Sequence, residues 1–324
     1  MLGHGWCACF HFCLIFLMAT LYGCGQSAEI EAGNRILEAN LFLSQGKCTE
    51  ALNTLTEVES SKRDYYFYQS YSSAYACFAN YKEIEYVENL SNLDSSAFFK
   101  SMASFSTSRE TDPTSAGFEK LKEAIRTILY IPASTGRLNS DRVSLYGLTK
   151  GEDLSIQVAL QIMSHLGKFL YHYGNTSTAG VKGGGSATSK CFINYTTANA
   201  QTYHANNLAS LGACDGVAKG HADLATGSAT KFTRLCDFIV HLNHAIDIFG
   251  NITFPNDGRF DSISDVSASI DTAIALAEAS LTAGTLTSLL GFYDYDSCVT
   301  YASNATNLEN VELYFLSIVE RGLQ

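Results

Sequence analysis

"IEAGNRILEANLFLSQGKCTEALNTLTEV", residues 30–58, decides the fold. Ile36, Leu37, Phe42 and Leu43 fall near one face of a helix, and Gly46 is placed to end it. Leu52, Leu55 and Val58 then recur at three-residue spacing and predict a second helix, with Thr49 as its cap. Two short helices joined at a glycine make a helical hairpin, whose apolar faces must be covered by further helices.

The same period returns along the chain. Phe118, Leu121, Ile125, Ile128 and Leu129 form a stripe over 117–131, closed by Pro132. Leu154, Val158, Ile162, Leu166, Phe169, Leu170 and Tyr173 mark a long helix over 152–173, stopped by Gly174-Asn175. Further helices are predicted over 232–249, 265–281 and 307–319. Residues 92–116 read as a Ser/Thr-rich link and 133–150 as irregular. Residues 174–230 are small and polar and read as one flexible elaborated loop with room for a short helix. Only three prolines occur, which suits helices. The fold class is therefore all-α, stacked antiparallel helical hairpins with a long Gly/Ser/Thr-rich inserted loop.

The first hairpin resembles a tetratricopeptide repeat. Gly46, Cys48, Ala51, Leu55 and Val58 occupy the positions of the repeat's second half, and Ala39 matches the small residue of its first helix. A second, weaker copy follows over residues 65–90, with Tyr75 and Tyr81 at aromatic positions and Ile84 where alanine is usual. That resemblance implies a concave binding face.

The N-terminus carries a different signal. Phe10 to Leu21 is almost wholly apolar but too short to cross a bilayer of about 30 Å. It ends in Leu21-Tyr22-Gly23-Cys24, which resembles the lipobox of bacterial lipoproteins, although His4 and His11 stand where positive charge is usual. The resemblance implies cleavage before Cys24 and lipid on its thiol. Gly25 stands where aspartate would hold such proteins at the inner membrane, so the outer membrane is the expected location, facing the periplasm. The expected organisation is a lipoprotein signal peptide (1–23), a lipidated tether (24–29), tetratricopeptide-like hairpins (30–110), and a helical domain (111–324) with the insertion at about 174–230. "GKCTEAL", "AYACF" and "HLGKFLYHYGN" also resemble uncharacterised lipoproteins of predatory Gram-negative bacteria.

A net charge of −11 argues against nucleic acid as a partner, because phosphates repel it. Beyond the signal and Cys24, six cysteines remain. An even number in an exported chain predicts up to three disulfides; six cysteines allow fifteen pairings, among which sequence alone does not choose, and the expectation is the sequential set: Cys48 with Cys77, Cys191 with Cys214, Cys236 with Cys298.

No catalytic motif occurs, and no cofactor is implied. Asp237, His241 and His244 share a helix face at a spacing that can grip a cation, but a solvated helix face is the simpler reading. His165 and His172, a heptad apart, read as core or surface side chains. Asp294 and Asp296 lack the glycine and glutamate of a calcium loop. Tyr65, Tyr66, Tyr68, Tyr71 and Tyr75 are too many for one buried face, so some must be exposed or line a groove. The expected role is a lipid-anchored scaffold that binds a protein or peptide partner. The alternatives are an accessory solute-binding lipoprotein of the kind that accompanies TRAP-type transporters and a metal-assisted enzyme using the Asp237 face. The lipobox reading predicts that Cys24→Ala releases the protein from membranes and abolishes incorporation of labelled palmitate; palmitate in the variant would contradict it.

Overall fold

The computed structural model describes residues 27–81, 93–94, 97–107, 115–132, 137–183, 185, 191–208, 220–225, 227–228, 230–252, 271–272, 274–275, 277–279, 281 and 286–323. The signal, Cys24, Cys214 and most of the second repeat-like helix pair's closing half lie outside the described residues. The fold is all-α. Among the described residues no strand occurs, only the isolated bridges Thr176–Lys182 and Cys191–Gly220. None of their helices is long and apolar enough to cross a membrane.

Helix α1 (Ala28–Ser44) starts where Ser27 accepts the amide of Ile30 at 3.4 Å, with Glu29 and Glu31 facing the positive end of the helix dipole. The chain reverses at Gly46, whose φ of +71° is open to glycine at no steric cost. Helix α2 (Cys48–Thr56) follows at once, capped by Lys47 without a side-chain bond. Thr49 therefore lies inside the first turn and is not the predicted cap, because the tight reversal leaves no residue to spare ahead of Cys48. Ala39 and Ala51 are fully buried, and their small side chains let α1 and α2 approach closely. Helix α3 (Tyr65–Phe78) is capped by Asp64, which accepts the amide of Phe67 at 3.1 Å. The Cys48–Cys77 disulfide, with Cα atoms 5.6 Å apart, ties the start of α2 to the end of α3. A loop of that length is worth about 3–4 kcal/mol in the chain-entropy account.

The predicted link holds helix α4 (Phe98–Met102) and a 3-10 segment, Ala103–Thr107. Helix α5 (Ala116–Leu129) buries its whole predicted stripe; each such side chain contributes about 1.5–3 kcal/mol. The stretch predicted as irregular contains helix α6 (Asn139–Tyr146). Its buried residues are Asn139 and Arg142, so it has no apolar stripe to read. Arg142 donates to Ser155 Oγ at 2.7 Å and to the Arg137 carbonyl at 2.9 Å, and burial pushes its pKa down to about 10.

Helix α7 (Leu148–Tyr173) is the axis of the molecule. Helices α3, α4, α5 and α6, the Ala103–Thr107 segment and helix α9 (Lys231–Asn251) all pack against it. It is buried on nearly every side, polar residues included, and these find partners. Gln157 donates to Ser73 Oγ at 3.0 Å, and Gln161 donates to Ser72 Oγ at 2.9 Å. At Gly167 an added Cβ would lie 2.8 Å from the Met102 carbonyl oxygen, so the 3-10 segment rests directly on the helix backbone.

Among the described residues the segment after α7 is irregular with one short helix, as its composition predicts, but it is packed into the core. Phe192, Ile193 and Tyr195 are fully buried, and helix α8 (Ala198–Asn207) follows. Two buried glutamates near the C-terminus hold it. Glu312, on helix α12 (Leu308–Tyr314), accepts the amides of Thr196 and Thr197 at 3.0 and 2.9 Å and both their hydroxyls at 2.9 and 2.8 Å. Glu320, in the π-helical continuation Phe315–Glu320, accepts the Phe192 amide at 2.9 Å and pairs with Lys182 at 2.7 Å. Carboxylates supply the acceptors that a Gly/Ser/Thr backbone needs in order to be buried.

Short helices α10 (Thr287–Leu290) and α11 (Tyr295–Ala302) complete the description, and the Cys236–Cys298 disulfide joins α9 to α11 at a Cα separation of 5.8 Å. Cys191 is disulfide-bonded as well. Of the helix predicted over 265–281, the described residues 271–272, 274–275 and 277–279 are helical. One apolar core runs from Ala32 in α1 to Leu323, so the N-terminal hairpins and the later helices share it.

Two glycines test the packing. Gly167→Ala drives a Cβ into the Met102–Ser106 backbone and should cost about 1–3 kcal/mol. Gly33→Ala, where a Cβ meets nothing within 4 Å, should instead stabilise by about 0.5–1 kcal/mol. Urea denaturation of both variants checks the opposite signs; equal effects would refute the close contact.

Candidate functional site

A groove of about 720 Å³ runs along the outer side of α1 and the approach to α3. Its floor is Ala32, Gly33 and Ile36, and its walls include Ile30, Leu37, Arg63, Asp64 and Tyr66. The i, i+7 spacing of Ile30 and Leu37 puts both on one side of α1, and Leu41 extends the row one turn further. Burial of Ala32, Ile36 and Ala39 against α2 and α3 turns that row outward. Exposure is 55% for Ile30, 68% for Leu37, 58% for Leu41 and 51% for Tyr66, so this is a cluster of large apolar side chains left in water. One end is charged. Lys62 pairs with Glu29, which holds the Glu29 carboxylate below its usual pKa, and Arg63 lies over the Phe67 ring at 4.8 Å. Asn40 also lines a second, more polar hollow of about 620 Å³ between α1, α3 and α7, with Gln69, Asp153 and Leu160.

The predicted tyrosines divide as expected. Tyr65 and Tyr68 are buried, Tyr71 and Tyr75 are partly covered, and Tyr66 is exposed in the groove. Burial together with the nearby Asp153 carboxylate raises the Tyr65 pKa to about 12.

The Asp237 face of α9 is placed differently from its expected position. Asp237, His241 and His244 are 2%, 4% and 0% exposed, so the solvated-face reading is overturned: α7 and α11 pack on α9, and Lys122 reaches over from α5. Nor do the three converge on a cation position. Asp237 accepts from Lys122 Nζ at 3.0 Å and lies 3.8 Å from Arg234, which reaches Glu119 at 2.6 Å. His241 Nδ1 and His165 Nδ1 share a hydrogen bond at 3.0 Å, with the Phe118 ring against His165. His244 donates from Nε2 to the Tyr293 carbonyl at 3.1 Å. Each group is thus spent on a different neighbour. Asp294 caps α11 through the Ser297 amide at 2.7 Å and pairs with Arg137, which accounts for it without a cation.

Sequence reasoning did not find Lys122, Arg234 or Glu119 as partners of this cluster. Lys122 sits beside Leu121 in a strongly amphipathic helix, and its buried position was legible only once a helix stood opposite. Comparison with protein-family models, with curated proteins and with solved structures gave no match.

The buried histidines set an acid limit. Burial, reinforced by the neighbouring imidazole, keeps His165 and His241 well below the usual histidine pKa, and burial takes His244 down to about 3. In the unfolded chain each protonates near about pH 6.5. Below that pH the unfolded state binds more protons, so stability falls as pH falls, by about 1.4 kcal/mol per pH unit for each histidine. Asp237 and Asp247 oppose this, since burial raises both carboxyl pKa values in the fold, but they are two groups against three and act at the acid end of the range. Tm should be level above pH 7 and fall steeply from pH 6.5 to 5; a flat profile across that range would contradict neutral burial.

Proposed function

We propose that this chain is a lipid-anchored, periplasm-facing binding protein, and that its α1 groove takes an apolar segment of a protein partner. The observation that carries the reading is the exposed row Ile30, Leu37 and Leu41 with Tyr66 beside it. Apolar side chains on one side of a hollow, with an aromatic wall and a charged end, suit a peptide or helix laid along α1. Net charge of −11 and the resemblances to a lipobox and to tetratricopeptide repeats support the same reading. The row also begins only a few residues after Cys24, so an anchored chain would hold the groove close to the membrane surface.

The accessory role beside a transporter rests on resemblance alone and calls for an enclosed solute cavity; the hollow at α1 is an open groove. The enzyme reading loses its residues, because Asp237, His241 and His244 face different partners.

Site-specific photo-crosslinking in cells tests the groove. A crosslinking residue at Leu37 should give one discrete protein adduct, and the same residue at exposed Asn199 on α8 should not. Ile30→Asp should reduce the Leu37 adduct about tenfold or more without lowering stability, since that side chain is exposed. Absence of an adduct, or the same adducts from both positions, would overturn the assignment.

A further inference from the structure

Away from the groove, a second group of side chains gathers at the C-terminal end of α7. His172 lies in the last turn of α7, His221 caps the 3-10 turn Ala222–Leu224, and Asp223 lies within that turn. Their ligand atoms all lie within 4.8 Å of one another. The rings of His172 and His221 have centroids 4.7 Å apart, and Asp223 Oδ2 is 4.0 Å from His221 Nδ1.

We propose that His172, His221 and Asp223 bind a Zn²⁺ ion. The donor set is the first reason. Two imidazoles and one carboxylate are the ligands of a borderline-soft cation, whereas calcium or magnesium would call for oxygen throughout. The second is that the fold holds two segments in place to bring them together. Gly220 donates its amide to Asn194 Oδ1 at 2.8 Å and forms the bridge with Cys191, while the His221 amide donates to the Phe192 carbonyl at 3.1 Å. A Cβ at Gly220 would lie 2.4 Å from the Ile193 carbonyl carbon, so the backbone is seated tightly there. Leu224, fully buried, fixes the far side of the 3-10 turn.

The third reason is orientation. His221 Nδ1 accepts the Asp223 amide at 3.2 Å, so the ring edge that carries a lone pair faces the Asp223 carboxylate. The cation would take that lone pair in place of the amide. Tetrahedral zinc with bonds of about 2.0–2.1 Å needs donors about 3.3 Å apart, so the three side chains must close in by up to about 1.5 Å. Their exposure permits this: the His221 and Asp223 side chains are 15% and 41% exposed. Three protein ligands on a surface leave the fourth position to water. The ion would clamp residues 220–224 to α7 and so fasten the Gly/Ser/Thr-rich segment at a third point besides Glu312 and Glu320.

The test uses the full chain in detergent, purified without a histidine tag. Zn²⁺ titrated against a chromophoric chelator should show one ion per chain, and Co²⁺ should give the visible absorption of a tetrahedral site. His172→Gln, His221→Gln and Asp223→Asn should each weaken binding at least about tenfold. In the unmodified chain Zn²⁺ should also protect His172 and His221 from diethyl pyrocarbonate, read by peptide mass spectrometry, which needs no variant to fold. No zinc in the titration, unchanged affinity in any of the three variants, or no protection of the two histidines would overturn the assignment.

Discussion

Everything else in this fold depends on a helix that is buried while still polar. Helix α7 is surrounded, yet it carries Ser155, Gln157, Gln161, His165 and Lys168 among its buried residues. A buried polar group without a partner costs about 1–3 kcal/mol, so each neighbour must present a complementary group at the right height. Arg142 on α6 meets Ser155, Ser73 and Ser72 on α3 meet Gln157 and Gln161, and His241 on α9 meets His165. Apolar packing supplies most of the energy. The polar pairs restrict which helix sits where, because a slip of one turn would leave several of them unmatched.

That constraint separates structure from candidate function. The titratable groups that look most like chemistry in the sequence, Asp237 and its two histidines, are drawn inward to match α5, α7 and α11. Conversely, the first helix joins the core through Ala32, Ile36 and Ala39 and leaves Ile30, Leu37 and Leu41 outside. Ile36 faces in with Ala32 and Ala39, and Phe42 and Leu43 pack against the core, yet Ile30, Leu37 and Leu41 stay in water, which stability alone would not favour. A surface held in that state by its own packing is where a partner is to be sought.

Much of the architecture was legible from period alone. The stripes over 117–131 and 232–249 became α5 and α9 to within two residues, that over 152–173 became α7 with four residues more at its start, and Gly46 turned the first hairpin. Two expected cysteine pairs formed because each joins neighbouring helices. Three features were hidden for definite reasons. Helix α6 buries Asn139 and Arg142, so no hydrophobic period announces it. The segment after α7 has the composition of a loop, and its described part is drawn into the core by Phe192, Ile193 and Tyr195 and by acceptors on the distant Glu312 and Glu320. On α9, periodicity identified an apolar face but gave no sign that other helices would cover the polar one. The outward row on α1 was half visible: Leu37 counted as a core residue in the pattern, and the choice of Ala over Leu as the buried side needed α2 and α3 in place. The histidine and aspartate of residues 221 and 223 gave no signal, since their partner is about fifty residues away in sequence.

Native-state hydrogen exchange tests the central claim, that α7 and its polar partners are the last part of the molecule to open. Amides of residues 158–170 should exchange only through global unfolding, at the free energy found by denaturation, together with those of α9 facing them. Amides of α1 should exchange faster, through local opening. Exchange in α7 that is faster than in α1, or that is insensitive to denaturant, would contradict the account.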